Sequence, residues 1–215
     1  GVVLKDGMVS VPVTEVVQCI RDMNNDTEVC ANDNDTITMD VAGVQKCLIS
    51  TNGAIKLNNG TATGVDSLAC GASNASALQA MASGTSTASG IRSFSAGTGN
   101  TSFGNSSASF GCANIVNGPY AFASGNSNIV NGTNSSASGI GNIIGGDSSL
   151  ATGSGNSASG NNSLVGGTGS FANSNQSIAW GSACIAGVSV GIGDHAMAFG
   201  GLSQATGMFS CARGE

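Results

Sequence analysis

A seven-residue pattern of glycine and small side chains runs through the middle of the chain. The second residue before each glycine is small or β-branched, and the fourth before it is serine, asparagine or alanine. Such alternation is typical of a β-strand with one crowded face, and each glycine favours a tight turn. The repeating glycines are Gly90, Gly97, Gly104, Gly111, Gly118, Gly125, Gly132, Gly139, Gly146, Gly153, Gly160 and Gly167. The pattern predicts many short strands joined by turns.

A coiled coil also has a seven-residue period, but its energetics exclude it here. Glycine in every second helical turn would cost about 1 kcal/mol each time. The repeats lack the leucine-rich seam and flanking charges that stabilise a coiled coil.

Alternate units differ, so the true period is fourteen residues. One set carries serine or alanine four residues before its glycine, and the other set carries Asn100, Asn114, Asn128, Asn142 and Asn156. Two unlike strands per period predict one coil per fourteen residues, with two sheets back to back. The asparagines are then expected to stack in register, each amide hydrogen-bonded to its copies above and below. The residues preceding them (Gly99, Ala113, Ser127, Gly141 and Gly155) are expected in the turn that feeds this strand.

The third residue before each glycine is often large and apolar. If serine, alanine and glycine fill a thin interior, these side chains point outward and need a partner surface. The candidates for a trimer interface are Phe94, Ile115, Phe122, Ile129, Ile143, Leu150 and Leu164. The opposite orientation, with these residues inside, is the alternative, and the sequence does not tell which sheet faces the partner.

The pattern weakens at both ends of the array. Ser174 replaces a glycine, and two of the later steps are six residues, so we expect bulges or shortened turns there. Residues 1–60 carry most of the charges and form a separate β-rich cap or interaction region, with short strands around Val9–Val13 and Thr36–Met39. Residues 61–215 form the repeat region, and the boundary lies near the turn-like Asn58-Asn59-Gly60.

Composition narrows the classes of function. Charged residues make up 8% of the chain and the net charge is −6, which argues against nucleic-acid binding. No apolar run is long enough to predict a membrane-spanning helix. The seven cysteines lack zinc-type spacing, and one disulfide is expected among Cys19, Cys30 and Cys47.

Segments such as NSSASGIGN, DSSLATGSGN and SIAWGSA resemble the YadA-like head repeats of trimeric autotransporter adhesins, over roughly residues 62–214. The resemblance implies a left-handed parallel β-roll, three chains side by side, and attachment to a host or matrix surface molecule. It also implies an extracellular, cell-surface or virion-surface location. A subunit of a head-to-tail extracellular or virion fibre is the alternative function.

Catalysis, metal binding and cofactors have little support. His195 is the single histidine, and no carboxylate pair or Cys-His spacing is recognisable. Asp33-Asn34-Asp35 lacks the glycine and glutamate of a calcium loop. We therefore expect a protein that is not an enzyme. An ice-binding solenoid is a further alternative, but it would need aligned threonines, and Thr87 and Thr101 are the only neighbours in the outward row.

Several Asn-x-Ser/Thr triplets fall in predicted turns, where they are accessible to glycosylation. We expect glycans on Asn105, Asn134, Asn161 and Asn175. Asn100 also heads such a triplet, but it lies on the inward column and should carry none.

Overall fold

The computed structural model describes residues 2–3, 9–10, 18–21, 27–31, 36–41, 44–189 and 194–214. Within these ranges the chain forms β-strands, turns and bends, without helix. The strands are β1 Val2–Val3, β2 Val9–Ser10, β3 Gln18–Arg21, β4 Thr27–Ala31, β5 Ile37–Val41, β6 Val44–Ile49, β7 Ile55–Leu57, β8 Thr61–Ala62, β9 Leu68–Gly71, β10 Asn74–Ala75, β11 Met81–Ala88, β12 Phe94–Ser102, β13 Ala108–Cys112, β14 Ile115–Val116, β15 Phe122–Asn126, β16 Ile129–Val130, β17 Ser136–Ile140, β18 Ile143–Ile144, β19 Leu150–Ser154, β20 Ser157–Ala158, β21 Leu164–Thr168, β22 Phe171–Ala172, β23 Ile178–Ser182, β24 Ile185–Ala186, β25 Met197–Gly201, β26 Gln204–Ala205 and β27 Cys211–Arg213.

From β7 onward the strands wind into a parallel solenoid with two sheets. The broad sheet contains β7, β9, β13, β15 and every second strand to β27, and the narrow sheet contains β8, β10 and the two-residue strands from β14 to β26. β11 and β12 are long enough to belong to both sheets. In the central coils each residue pairs with the residue fourteen positions on, as Phe122 does with Ser136 and Ile129 with Ile143. The prediction of an all-β parallel solenoid with coils of about fourteen residues is confirmed.

The interior is one layer of small side chains. Val130 and Ala137, on facing strands, are both fully buried, and Ile144 is among the largest side chains inside. The Oγ atoms of Ser102 and Ser109, from the narrow and the broad sheet, are 2.7 Å apart across the interior. The larger apolar residues beside them point outward, so the orientation with small residues inside is the correct one and its alternative is wrong.

Both corners of each coil use left-handed backbone. At the corner before the asparagine column, Ala113, Ser127 and Gly141 have φ values of 55°, 56° and 65°. At the other corner a two-residue turn begins at the repeat glycine and places a residue such as Tyr120, with φ of 55°, in the same region. In some coils the N–H of the residue after this turn bonds back to the glycine carbonyl, as Ser107 does to Gly104 at 3.3 Å, whereas Ser149 and Ser163 donate theirs to a serine Oγ in the preceding coil. This geometry is that of a type II turn.

The repeat glycines are required by the close approach of neighbouring coils. A Cβ on Gly132 would lie 1.9 Å from the carbonyl oxygen of Gly146. Gly125 combines a φ of 109° with a carbonyl oxygen of Gly139 only 2.1 Å from where its Cβ would be. A larger residue at either position would push the stacked coils apart.

Coil length varies at both ends of the solenoid. Near the start, Leu68 pairs with Met81, a step of thirteen residues. Near the end, Ile178 pairs with Met197, a step of nineteen. The expectation of shortened turns near Ser174 was therefore wrong for this coil, which is instead lengthened between β24 and β25. The pairing of both sheets continues across this longer step.

Before β7 the strands are antiparallel. β3, β4, β5 and β6 form a meander, and β7 pairs with β6 on one side and with β9, in parallel, on the other. The strand expected near Thr36 is β5, whereas Asp33, Asn34 and Asp35 lie outside the described residues. Cys30 is disulfide-bonded, its strand register pairs it with Cys19, and Cys47 is a free thiol.

Candidate functional site

The asparagine column lies inside the corner of the solenoid. Its members are Asn100, Asn114, Asn128, Asn142 and Asn156, and each is at most 1% exposed. The Nδ2 of each asparagine donates to the Oδ1 of the preceding one at 2.9 to 3.2 Å. The same Oδ1 accepts the backbone N–H of the next asparagine at 2.9 to 3.1 Å.

Each amide of the column also binds the main chain around it. The Nδ2 of Asn128 lies 2.9 Å from the carbonyl oxygen of Ser124 and 2.8 Å from that of Gly139. The column thus satisfies backbone groups at the corner that the sheet ladders leave unpaired. Smaller residues continue it at its ends. The Oγ of Ser170 and the Sγ of Cys184 make the equivalent contacts to Gly181 and Gly200.

A second column, at the exposed tips of the two-residue turns, was missed from the sequence. Its members are Asn105, Asp147, Asn161, Asn175 and Asp194. The Oδ1 of each accepts the backbone N–H of the tip residue in the preceding coil, at 2.7 to 3.0 Å. The sequence signal that could have revealed this column is an Asn or Asp directly after a repeat glycine, or after Ser174, which replaces one. The turn tips are thus polar from Thr133 to Asp194, whereas Leu78, Ile91 and Met208 are exposed apolar residues at the same position in other coils.

The seven sequence-predicted interface residues do not form one row. Phe94, Phe122, Leu150 and Leu164 lie on the outer face of the broad sheet, whereas the three isoleucines lie on the narrow sheet. We call the first set of aligned positions the broad-face row: Ile55, Leu68, Met81, Phe94, Ala108, Phe122, Ser136, Leu150, Leu164, Ile178, Met197 and Cys211. We call the second the narrow-face row: Thr61, Asn74, Thr87, Thr101, Ile115, Ile129, Ile143, Ser157, Phe171, Ile185 and Gln204.

Neither row contains a charged residue, and both expose large apolar side chains. Phe122 and Leu150 are 37% and 39% exposed on the broad face, and Ile143 is 47% exposed on the narrow face. Aromatic rings of the broad-face row also contact Phe110, which lies on the same face two residues after Ala108 of that row. The ring centroid of Phe110 is 5.1 Å from that of Phe94 and 5.8 Å from that of Phe122.

Trp180 adds a further aromatic surface to the broad face. Its six-membered ring lies over Gly166 in the preceding coil, where a Cβ would approach ring atoms to 2.5 Å. The indole is 46% exposed. Both outer faces therefore carry exposed apolar side chains without a partner in a single chain, and on the narrow face the longest apolar run is Ile115, Ile129 and Ile143.

The turn asparagines predicted to carry glycans are all at the corners. Asn105, Asn134 and Asn161 are exposed, and Asn175 is half-buried. Asn100 is 1% exposed, and its Nδ2 binds two backbone carbonyls.

The described residues hold no group of three or more His, Cys, Asp and Glu side chains that could bind a metal. His195 stacks on Phe209, with ring centroids 4.7 Å apart. In the part of the chain that the structure describes, no helix is long and apolar enough to cross a bilayer.

Threonines pair in adjacent coils, Thr87 with Thr101 in the narrow-face row and Thr85 with Thr98 on the broad sheet. The outward threonine array is thus slightly larger than the sequence indicated, but it stops after two coils in both columns, since Ile115 and Cys112 follow.

Comparison with known proteins leaves the family open. No protein-family model matches the chain, and no curated protein is significantly similar to it.

Proposed function

We propose that this chain is a structural, adhesive surface protein whose solenoids assemble as a homotrimer, forming the head of an attachment fibre. The observation that supports the proposal is the pair of uncharged rows, each with large exposed apolar side chains, on opposite outer faces of one thin solenoid. The interior is already filled, so folding alone leaves both rows in water. Monomeric proteins rarely expose apolar patches of such length.

Two different faces per chain favour a closed ring over a twofold dimer. A twofold interface uses the same patch on both subunits and would leave the second face exposed. In a ring, each chain instead meets its two neighbours through two different surfaces, so both rows can contribute to contacts around the axis. Three chains side by side are what the resemblance to adhesin head repeats implies.

The surface left to solvent in such a trimer contains the turn tips. These tips repeat along the solenoid with a spacing of about 4.8 Å, set by the distance between strands. A repeating edge of turn tips present three times per particle suits multivalent attachment, in which many weak contacts add up to strong retention. The disulfide at Cys30 fits a chain that matures in an oxidising compartment and acts at a cell or virion surface.

The experiment is sedimentation equilibrium of the wild-type chain and of two variants, Leu150→Glu on the broad face and Ile143→Glu on the narrow face. We expect a wild-type mass three times that of the 20.8 kDa chain, and monomers for both variants. Ser148→Glu, which adds the same charge at an exposed turn two residues from Leu150, is the control and should remain trimeric. A monomeric wild type, or dissociation by only one of the two variants, contradicts the ring.

Attachment is tested separately with beads coated with the wild-type trimer on a matrix of extracellular proteins. We expect retention that falls at least tenfold for the monomeric Leu150→Glu variant, because avidity is lost. Equal retention of uncoated beads contradicts the adhesive role and leaves the trimer intact. Electron micrographs with long head-to-tail filaments would favour the fibre-subunit alternative.

A further inference from the structure

The antiparallel strands β5 and β6 present an apolar outer face of their own. Ile37, Met39 and Val41 alternate along β5 and are 41%, 43% and 42% exposed, and Val44, paired with Val41, is 49% exposed. Alternation in a strand places these side chains on one face of the sheet. An apolar row in which every second residue faces solvent is unusual for the free surface of an antiparallel sheet.

This face is continuous with the outer face of the broad sheet. The register pairs Ile37 with Ile49, Ile49 with Ile55, and Ile55 with Leu68. Residues paired directly across neighbouring strands lie on the same face. The broad-face row therefore continues beyond Ile55, through Ile49, to Ile37, and passes from the parallel solenoid into the antiparallel meander without interruption. We call the row from Ile37 onward the extended row.

A second column runs beside the extended row. Met39 pairs with Cys47, Cys47 with Leu57, and Leu57 with Cys70. Along both columns, from β5 to Met197 and Phe199 in β25, no position is charged. Thirteen strands spaced by about 4.8 Å give a surface roughly 60 Å long, and two columns make it about 10 Å wide, or roughly 600 Å². That is the upper end of what monomers expose and approaches the roughly 800 Å² that one partner buries in a specific interface.

We infer that the outer face of β5 and β6 belongs to the subunit interface, where it is covered by a second copy of this chain. The inference rests on the proposed trimer and extends it, because it assigns the N-terminal meander to assembly instead of to ligand binding. The argument for a second copy is continuity: Ile49 and Ile37 lie one and two strands beyond Ile55 in the same face, so a partner that covers Ile55 and Leu68 lies directly beside them. The absence of charge along both columns from β5 to β25 also disfavours a charged ligand.

The test is the reactivity of Cys47, a free thiol that lies in this face beside Met39. The full chain is pulsed with a maleimide, and labelled peptides are quantified by mass spectrometry. We expect Cys47 to react at least tenfold more slowly in the wild-type trimer than in the monomeric Leu150→Glu variant. A cysteine introduced by Thr51→Cys, in the exposed turn between β6 and β7, should react equally in both.

A second pair of variants tests the same surface by assembly. Met39→Glu should raise the concentration at which the trimer dissociates at least tenfold, whereas Met39→Leu and Thr51→Glu should leave it unchanged. If the wild type is a trimer but Cys47 is equally reactive in trimer and monomer, or if Met39→Glu assembles like the wild type, this inference is wrong and the trimer stands. If the wild type is a monomer, the proposed assembly itself is wrong.

Discussion

Replacing Asn128 by alanine tests whether the buried asparagine column holds the coils together. The substitution removes the bonds from Nδ2 to Asn114, Ser124 and Gly139, and those from the backbone and side-chain N–H groups of Asn142 to Oδ1. Several buried polar groups are left without a partner, since Asn128 is fully buried. The two hydrogens on Nδ2 are shared among three acceptors, so these five contacts amount to about four full hydrogen bonds. At about 1 kcal/mol for each, the loss is roughly 4 kcal/mol of unfolding free energy.

The matched control is Asn131→Ala. Asn131 is also an asparagine in a column, but it is exposed and accepts one side-chain bond, from Asn117 at 2.7 Å. We expect this control to lose less than about 0.5 kcal/mol, since water replaces an exposed bond.

The assay is thermal unfolding followed by circular dichroism, at one fixed subunit concentration because assembly couples to stability. For a domain of this size, 1 kcal/mol corresponds to about 2–4 °C, so Asn128→Ala should lower Tm by roughly 10 °C and Asn131→Ala by at most about 2 °C. Values of Tm within about 2 °C of each other would refute the reasoning that the column stabilises the fold through its buried bonds.

Two further predictions concern the corners of the coil. Gly125→Ala should lower the unfolding free energy by at least about 3 kcal/mol, because the backbone has a φ of 109° and the new Cβ would collide with the carbonyl of Gly139. Gly141→Ala should lower it by only about 1 kcal/mol, because φ is 65° and no atom lies within 4 Å. Chemical denaturation measures both losses, and equal losses would contradict the close-approach argument. Expression in a glycosylating host followed by peptide mapping should find glycans at the turn asparagines and none at Asn100, since that amide is enclosed by backbone carbonyls. A glycan on Asn100 would mean that the column is not buried in the expressed protein.

The repeat itself could be predicted from the sequence because equivalent positions in successive coils have the same surroundings and so select the same kind of residue. Only small groups fit between the sheets, so the serine, alanine and valine columns mark the interior, and the asparagine column marks a corner where amides can stack. The left-handed residue before each asparagine was also predictable in place, because Gly99, Gly141 and Gly155 favour positive φ.

Other features were not readable, for physical reasons that differ. Arg92 and Tyr120 adopt positive φ at the second corner although neither residue favours it, because the stacked turns above and below impose that backbone. The sequence did not tell which outer face needs a partner, because successive strands belong to opposite sheets and both sheets carry apolar residues at the outward position. The meander before β7 has no repeat, and its continuity with the broad face depends on long-range register, which a local pattern does not contain.

The lengthened coil between β24 and β25 shows where this architecture admits change. The nineteen-residue step adds five residues to the usual fourteen, yet Ile185 still pairs with Gln204 and Ile178 with Met197. Closing a somewhat longer loop costs little conformational entropy, and the hydrogen bonds of both sheets are retained. Corners of neighbouring coils should therefore accept grafted peptides, so that a binding sequence or an epitope can be displayed at a chosen height along the rod.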